Sequence, residues 1–457
     1  MNGRLHDIYR PVSERLADFS EVERRLGRDD LAPQASRCLD CGVPFCHGEG
    51  CPLANEIPDF NAAVAHGDLR AAWGILSRTA FFPEFTARVC PALCEGSCTH
   101  GAHDEAVMVR QIERLIVETA FREGWVEQPA PRRRLGKRVA VVGAGPAGLM
   151  AAEALRRGGA DVTVFEKNRA PGGLLRYGIP NFKLEKTVID RRIALLEKAG
   201  IAFVCGTEIG RDIAPAYLKA KFDAVVLALG TAKARDLAIP GREKKGIHFA
   251  LEFLGSEARF DTGEAATRTV SAAGKDVLVI GGGDTGSDCV GTANRQGAKS
   301  VTQIEIMPKP PASRAPGNPW PEWPRVFKTS SSHEEGCVRA WNLNSKRALG
   351  EESVEGIEVE EVKWGKGPDG RMGFTPQEGT VRTIPAQLVL LALGFTGVPE
   401  GSPGDGLGLA RTPRGGLVSD PEGKVFAAGD CATGASLVVR AMAHAKAVAS
   451  DVLSALA

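Results

Sequence analysis

Apolar positions change their spacing part-way along this chain of 457 residues. Before about residue 133 they recur at three- and four-residue intervals. Residues 59–76 and 105–123 read as helices, the second placing Val109, Ile112, Leu115, Ile116 and Ala120 on one face. From Arg138 onward, short continuous apolar runs alternate with helical stretches. Residues 138–142 read as a buried strand, 143–148 as a turn, 149–158 as a helix and 161–165 as a second strand, together a βαβ unit. A second unit follows, with a strand at 277–280, a turn at 281–286, a helix at 287–297 and a strand at 300–306. Each is followed by an apolar strand ending in glycine, at 224–230 and 388–394. Residues 425–449 return as strand, glycine turn and helix, so the second unit reads as inserted into the first domain.

The expected fold class is therefore α/β. Two Rossmann-like dinucleotide-binding domains stand behind an N-terminal α-helical domain. The boundaries fall at 1–133 for the helical domain, 134–260 and 387–457 for the two parts of the first nucleotide domain, and 261–386 for the second. Pro129, Pro131 and the basic stretch at 132–138 form a linker, and the Pro- and Trp-rich segment 308–324 reads as an ordered loop.

Composition narrows the function. Lys and Arg number 57 against 56 Asp and Glu, which argues against a nucleic-acid partner held by phosphate neutralisation. No apolar run approaches the roughly 18 residues that cross a bilayer, so no membrane partner is expected. The charged N-terminus lacks the apolar core of an export signal, which points to the cytoplasm. Eleven cysteines in that setting imply metal or redox use rather than disulfides.

Seven of those cysteines lie between residues 38 and 98. Cys38, Cys41, Cys46 and Cys51 form one run, with Pro52 behind the last. Cys90, Cys94 and Cys98 form another, with Pro91 behind the first. Closely spaced thiolates, some followed by proline, are how iron–sulfur clusters are held. Two zinc sites completed by His47, His100 or His103 are the alternative, and would make the domain a structural module.

Gly143, Gly145, Pro146 and Gly148 stand between a strand and a helix, with Glu166 ending the next strand. The glycines permit a tight turn, a close backbone approach to a pyrophosphate and close helix–strand packing, while the acid can accept from ribose hydroxyls. Gly281, Gly283, Asp284, Thr285 and Gly286 repeat the motif. There Glu305 would favour an unphosphorylated ribose, whereas Arg295, Lys299 and Lys309 could neutralise a 2′-phosphate. Cys205, Cys289, Cys337 and Cys431 are isolated, which leaves no dithiol to receive a hydride. The N-terminal cysteines are the remaining exit.

Gly172-Gly173 and Gly429-Asp430, taken with the first glycine turn, resemble the FAD site of disulfide-reductase-like flavoproteins. Over essentially its whole length the chain resembles the small (beta) subunit family of bacterial glutamate synthase. The likeness rests on RCLDCGVPF at 37–45, VCPALCEGSC at 89–98, VAVVGAGPAG at 139–148, PGGLLRYGIP at 171–180, GGGDTGSD at 281–288 and RQGAKSVT at 295–302. Residues 318–324 and 330–336 also match. The same module recurs in dihydropyrimidine dehydrogenase and in bifurcating NADPH–ferredoxin oxidoreductases.

The resemblance implies FAD at the first glycine turn, NADPH at the second and two [4Fe–4S] clusters. It implies that Cys38, Cys41, Cys46 and Cys98 hold one cluster, and that Cys51, Cys90 and Cys94 hold the other. A carboxylate or carboxamide completes the second set, which points to Glu113, with Gln111 as the competitor. One departure is an extra residue between Cys46 and Cys51 relative to some relatives. The implied role is electron input: NADPH reduces FAD, and the clusters pass electrons to the FMN of the glutamate synthase large (alpha) subunit, where 2-iminoglutarate becomes glutamate. Ferredoxin or a pyrimidine-reducing subunit is the alternative acceptor. Met1-Asn2 stand where a glutaminase would carry a cysteine nucleophile, and no FMN barrel is apparent. No general acid or base is expected, since hydride transfer between bound cofactors needs chiefly positioning.

Overall fold

The computed structural model describes residues 3–131, 133–367 and 370–457. Met1 and Asn2, and Arg132 of the basic stretch, lie outside the described residues.

The N-terminal domain is built of helices Arg28–Ala35, Ile57–Ala65, Leu69–Leu76, Pro83–Val89 and Val109–Arg122. The single helix expected over 59–76 is two. Gly67 turns the chain in the left-handed region (φ +82), and the Asp68 side chain accepts from the Ala71 N–H at 2.8 Å, capping the second helix. In Val109–Arg122, Ile112, Ile116 and Ala120 are fully buried, and the polar side chains of Gln111, Glu113 and Arg114 are buried as well.

Behind this domain lie two parallel five-stranded sheets. The first runs Val425–Ala427, Ala224–Leu227, Arg138–Val142, Asp161–Glu166, Ala202–Cys205. The C-terminal strand joins its edge, pairing with Ala224–Leu227 after the chain has passed through the second sheet. The second sheet runs Ile247–Phe249, Leu388–Leu391, Asp276–Ile280, Ser300–Ile304, Val338–Ala340. Where the chain leaves the first unit and where it returns, Lys233–Ala234 and Phe395–Gly397 pair antiparallel.

Two boundaries drawn from sequence move. Ile247–Phe249 and the helix Ala250–Asp261 were expected in the first domain, as was Leu388–Leu391. Both strands pair in the second sheet, and Phe253 packs into a core with Val277 and Leu388. A three-residue strand has no period to read. An antiparallel sheet of Leu343–Leu349, Gly356–Lys366, Met372–Pro376 and Arg382–Pro385 follows Val338–Ala340 and has no counterpart in the first unit.

One apolar core runs from the helical domain into the first sheet, with the C-terminal helix Val438–Leu456 packed on Pro146–Arg157. Charged side chains line the rest of that seam. Arg192 forks onto both oxygens of Glu84 at 2.6 and 3.0 Å, with both side chains almost wholly buried. Arg191 grips Glu118 at 2.5 and 2.9 Å. Arg88 and Arg114 converge on Glu21, and Arg110 and Arg114 on Glu23. Stranding one partner of a buried pair costs about 3–5 kcal/mol. Glu84→Ala should therefore lower the melting temperature sharply, whereas truncating the exposed Glu123 should leave it near the parent value; thermal melts of the two variants check this.

Candidate functional site: two glycine turns and a thiol cluster on one cavity

At the first turn Gly143 has φ +103, and a Cβ there would meet the Ala228 carbonyl oxygen at 2.4 Å. A Cβ at Gly148 would lie 1.8 Å from the Gly143 oxygen. Only glycine lets strand, turn and helix approach this closely. Gly145 caps the helix Pro146–Arg157, whose N-terminus faces the cavity. Glu166 is locked from both sides: the Ala144 N–H donates to Oε2 at 2.8 Å and the Asn168 N–H to Oε1 at 2.9 Å. Gly172 donates its N–H to the Ala144 carbonyl at 2.9 Å, and a Cβ at Gly173 would meet Gly145 Cα at 2.6 Å. Gly429 backs onto Ala147, and Asp430 lines the same cavity. Burial holds the Asp430 carboxyl above its ordinary range, against a hydrogen bond from Ser436 Oγ at 2.6 Å.

The second turn repeats this construction. Cβ atoms at Gly281 and Gly286 would meet the Ala392 and Gly281 carbonyl oxygens at 2.3 and 2.4 Å. Gly283 caps the helix Asp284–Arg295. Gly283, Asp284 and Thr285 face the cavity, and nothing lies within 4 Å of where a Gly283 Cβ would point. Glu305 occupies the place of Glu166: the Gly282 N–H donates to Oε2 at 2.6 Å and the Met307 N–H to Oε1 at 3.2 Å.

The cysteines fall into two groups. Cys38, Cys41 and Cys46 stand near Cys98, close enough for each thiol to act on the others. Cys51, Cys90 and Cys94 stand near Glu113. Burial first, then the neighbouring thiols, pushes Cys46 up to about 12, and burial followed by Glu113 does the same to Cys51. The environment therefore opposes free thiolates, yet backbone N–H groups are aimed at the sulfurs. Asp40 and His47 serve Cys38 and Cys46, Leu53 and Asn55 serve Cys51, and Ala92 and Leu93 serve Cys90. Such N–H···S contacts are what cluster-bound sulfur receives.

Glu113 accepts from Asn55 Nδ2 at 2.9 Å, and burial pushes its carboxyl up to about 7. Gln111 turns away to donate to Glu23 at 2.8 Å. His47 and His100 direct Nδ1 at the carbonyl oxygens of Asn55 and Glu105, at 3.1 and 2.9 Å. Among the described residues no three His, Cys, Asp or Glu side chains are close enough to share a single ion.

Cys90 and Pro91 open onto the cavity that holds both glycine turns. The loop expected over 308–324 reaches back from the second unit onto the helical domain, beside the cysteine-bearing segments. Trp320 lies 4.7 Å from Phe45, Trp323 backs onto Gly96, and Arg314 donates to the Gly96 carbonyl at 3.0 Å. Sequence reasoning missed Asn55, Asn61, which meets Cys38, and the π-helical turn Cys46–Gly50. A buried asparagine has no one-dimensional signature.

Comparison with known proteins fits this division. The family model described as dihydropyrimidine dehydrogenase domain II, 4Fe–4S cluster, matches residues 15–125. That of the pyridine nucleotide-disulphide oxidoreductases matches residues 137–318 and 339–445. A Mycobacterium tuberculosis protein named glutamate synthase [NADPH] small chain is 45% identical over 97% of this chain and 92% of its own length. The chain belongs to the glutamate synthase small-chain family. A Schizosaccharomyces pombe glutamate synthase [NADH] is 43% identical over 95% of this small chain, which spans 22% of that longer protein. Among solved structures, Mycobacterium tuberculosis FprA in complex with NADPH shares the fold over 70% of the small chain and 84% of its own, with 19% identity and a TM-score of 0.55.

One site residue expected from sequence is displaced. Arg295 of this small chain does not face the cavity. Its guanidinium is fully buried, paired with Glu335 and stacked 3.9 Å from the Phe182 ring, and its Nε donates to the Asp18 carbonyl at 3.0 Å. Glu335 is shared with Arg15 at 3.0 Å, so Arg295 ties the N-terminal segment to the second unit. Lys299 pairs with Asp276 at 3.2 Å at the opposite end of the strands from the turns. Cys205, Cys289, Cys337 and Cys431 are absent from the cavity lining among the described residues. Also among the described residues, no helix is long and apolar enough to cross a membrane.

The two kinds of glycine separate in a test. Gly286→Ala should damage the fold of the second unit and lower its melting temperature. Gly283→Ala, with open space for its methyl, should melt with the parent yet lose nucleotide affinity by about tenfold, since the methyl occupies the space a pyrophosphate needs. Calorimetric titration with a nicotinamide dinucleotide reads the second effect.

Proposed function

We propose that this chain is the electron-input subunit of a glutamate synthase: it oxidises NADPH and delivers electrons to a separate large subunit that reduces 2-iminoglutarate to glutamate. The observation that carries the reading is the single cavity onto which two dinucleotide-type turns and Cys90 all open. Membership of the small-chain family supports it, and so does the fused relative, in which the corresponding stretch is part of a longer glutamate synthase.

The first turn would hold FAD. Gly143, Gly145 and Pro146 would face the pyrophosphate while Gly148 lets the helix close on the turn; Glu166 would face the ribose, and Gly172, Gly173, Gly429 and Asp430 the flavin arm. The second turn would hold the nicotinamide nucleotide on Gly281, Gly283, Asp284, Thr285 and Gly286, with Glu305 at the ribose. Cys38, Cys41, Cys46 and Cys98 would hold one [4Fe–4S] cluster, and Cys51, Cys90, Cys94 and Glu113 the other. Bound there, the flavin takes two electrons as hydride and the clusters carry them singly. The chain's own part is to orient the two dinucleotides and to hold both ribose acids as acceptors. No side chain is assigned a proton-transfer step, since positioning supplies the advantage.

Anaerobic titration of the purified protein with NADPH, followed by visible absorption and low-temperature EPR, tests the proposal. Bleaching of the flavin with a reduced-cluster signal, in this chain alone or on adding the large subunit, is the expected result. Bleaching in protein that contains no iron would reduce it to a simple flavin reductase. Glu113→Ala should lose iron where Gln111→Ala keeps it, as iron analysis of the two variants will read.

A further inference from the structure

Glu305 poses a problem for a nucleotide that carries a 2′-phosphate. Both its oxygens are held by backbone N–H groups, in the same geometry as Glu166. A carboxylate so placed accepts from a ribose diol and repels a phosphate. None of the three basic residues singled out in sequence simply offsets it: Arg295 is consumed by Glu335, Lys299 is at the wrong end of the strands, and Lys309 needs company.

That company is Arg339, on the strand Val338–Ala340 beside Ser300–Ile304, at whose end Glu305 stands. It lines the cavity with Glu305, Gly282 and Gly283. Its guanidinium lies 4.7 Å from the Phe327 ring centre and 5.1 Å from that of Trp341. Lys309 Nζ lies over the same two rings, at 4.6 and 5.2 Å. Neither cation has a carboxylate partner among the described residues, and Arg339 Nη1 donates to the Lys328 carbonyl at 3.1 Å. Burial holds Arg339 below its usual range, with only the Cys337 thiol acting against it. Arg339 lines the nucleotide cavity, and a second cation stands on the same aromatic pair, which makes a place for an anion.

We infer that Arg339, with Lys309 behind it across Phe327 and Trp341, binds the 2′-phosphate of the adenosine ribose and is the residue that lets this Glu305-bearing site accept NADPH. The inference rests on the reading of the second turn as the nicotinamide site. It assigns the choice between phosphorylated and unphosphorylated cofactor chiefly to Arg339 on the neighbouring strand, with Lys309 of the loop after Glu305 in support.

The test uses the full chain and two soluble probes, adenosine 2′,5′-bisphosphate and AMP, titrated by calorimetry. The parent should bind the bisphosphate more tightly than AMP. Arg339→Gln should weaken the bisphosphate by tenfold or more while its effect on AMP stays several-fold smaller, and Arg339→Lys should recover part of the loss. With dye as acceptor, KM for NADPH should rise at least tenfold more than KM for NADH, with kcat little affected. A parent that does not prefer the bisphosphate would overturn the inference. So would an Arg339→Gln protein that loses both probes equally, or one that keeps the preference. A parent that prefers the bisphosphate but reduces no dye from NADPH would sink the electron-input reading and leave the Arg339 assignment standing.

Discussion

Charge buried at the seam between the helical domain and the first nucleotide unit decides where everything else can sit. Burying an isolated guanidinium or carboxylate costs several kcal/mol, so each must find its partner in place. Here Glu84 meets Arg192 and Glu118 meets Arg191 across the seam, while Arg88, Arg110 and Arg114 hold Glu21, Glu23 and Glu118 in place within the helical domain. An apolar seam could slide by a fraction of a turn at little cost, but a lattice of forked pairs has one register. That register keeps Cys90–Pro91 at the wall of the cavity, and a centre that hands on single electrons needs just such a fixed distance. The same device recurs at Arg15, Glu335 and Arg295, where the N-terminal segment clasps the second unit.

The parts legible in sequence were those whose chemistry forces a residue type at a spacing. Gly143 and Gly281 must be glycine because a Cβ would strike a backbone oxygen, and the strand, turn and helix around each followed from them. Thiol spacing pointed to a metal domain for a similar reason. What was not legible depends on neighbours distant in the chain. Ile247–Phe249 is a strand only because Leu388–Leu391 lies beside it. Arg295 stands near the second turn in sequence, but one helix later its side chain has rotated to the far side, onto Phe182 and Glu335. Arg339 is thirty-four residues beyond Glu305 in number and a single strand away in space, and no periodicity connects them.

The same duplication that made the fold readable conceals a difference between its halves. Both turns carry the same glycine contacts and the same acid lock, so both can bind an adenine dinucleotide. Around the first, the backbone closes in twice more: Gly173 comes against Gly145, and Gly429 against Ala147. Around the second, no such pair approaches, and Gly283 looks onto open space. Each extra backbone contact removes solvent and adds fixed dipoles around a bound nucleotide, which slows its departure. A cofactor that stays and a substrate that must leave after every turnover ask for opposite degrees of enclosure. The two halves therefore share the groups that fit a dinucleotide and differ in how many backbone segments surround it, which suits the proposed assignment of the staying cofactor to the first turn and the leaving one to the second.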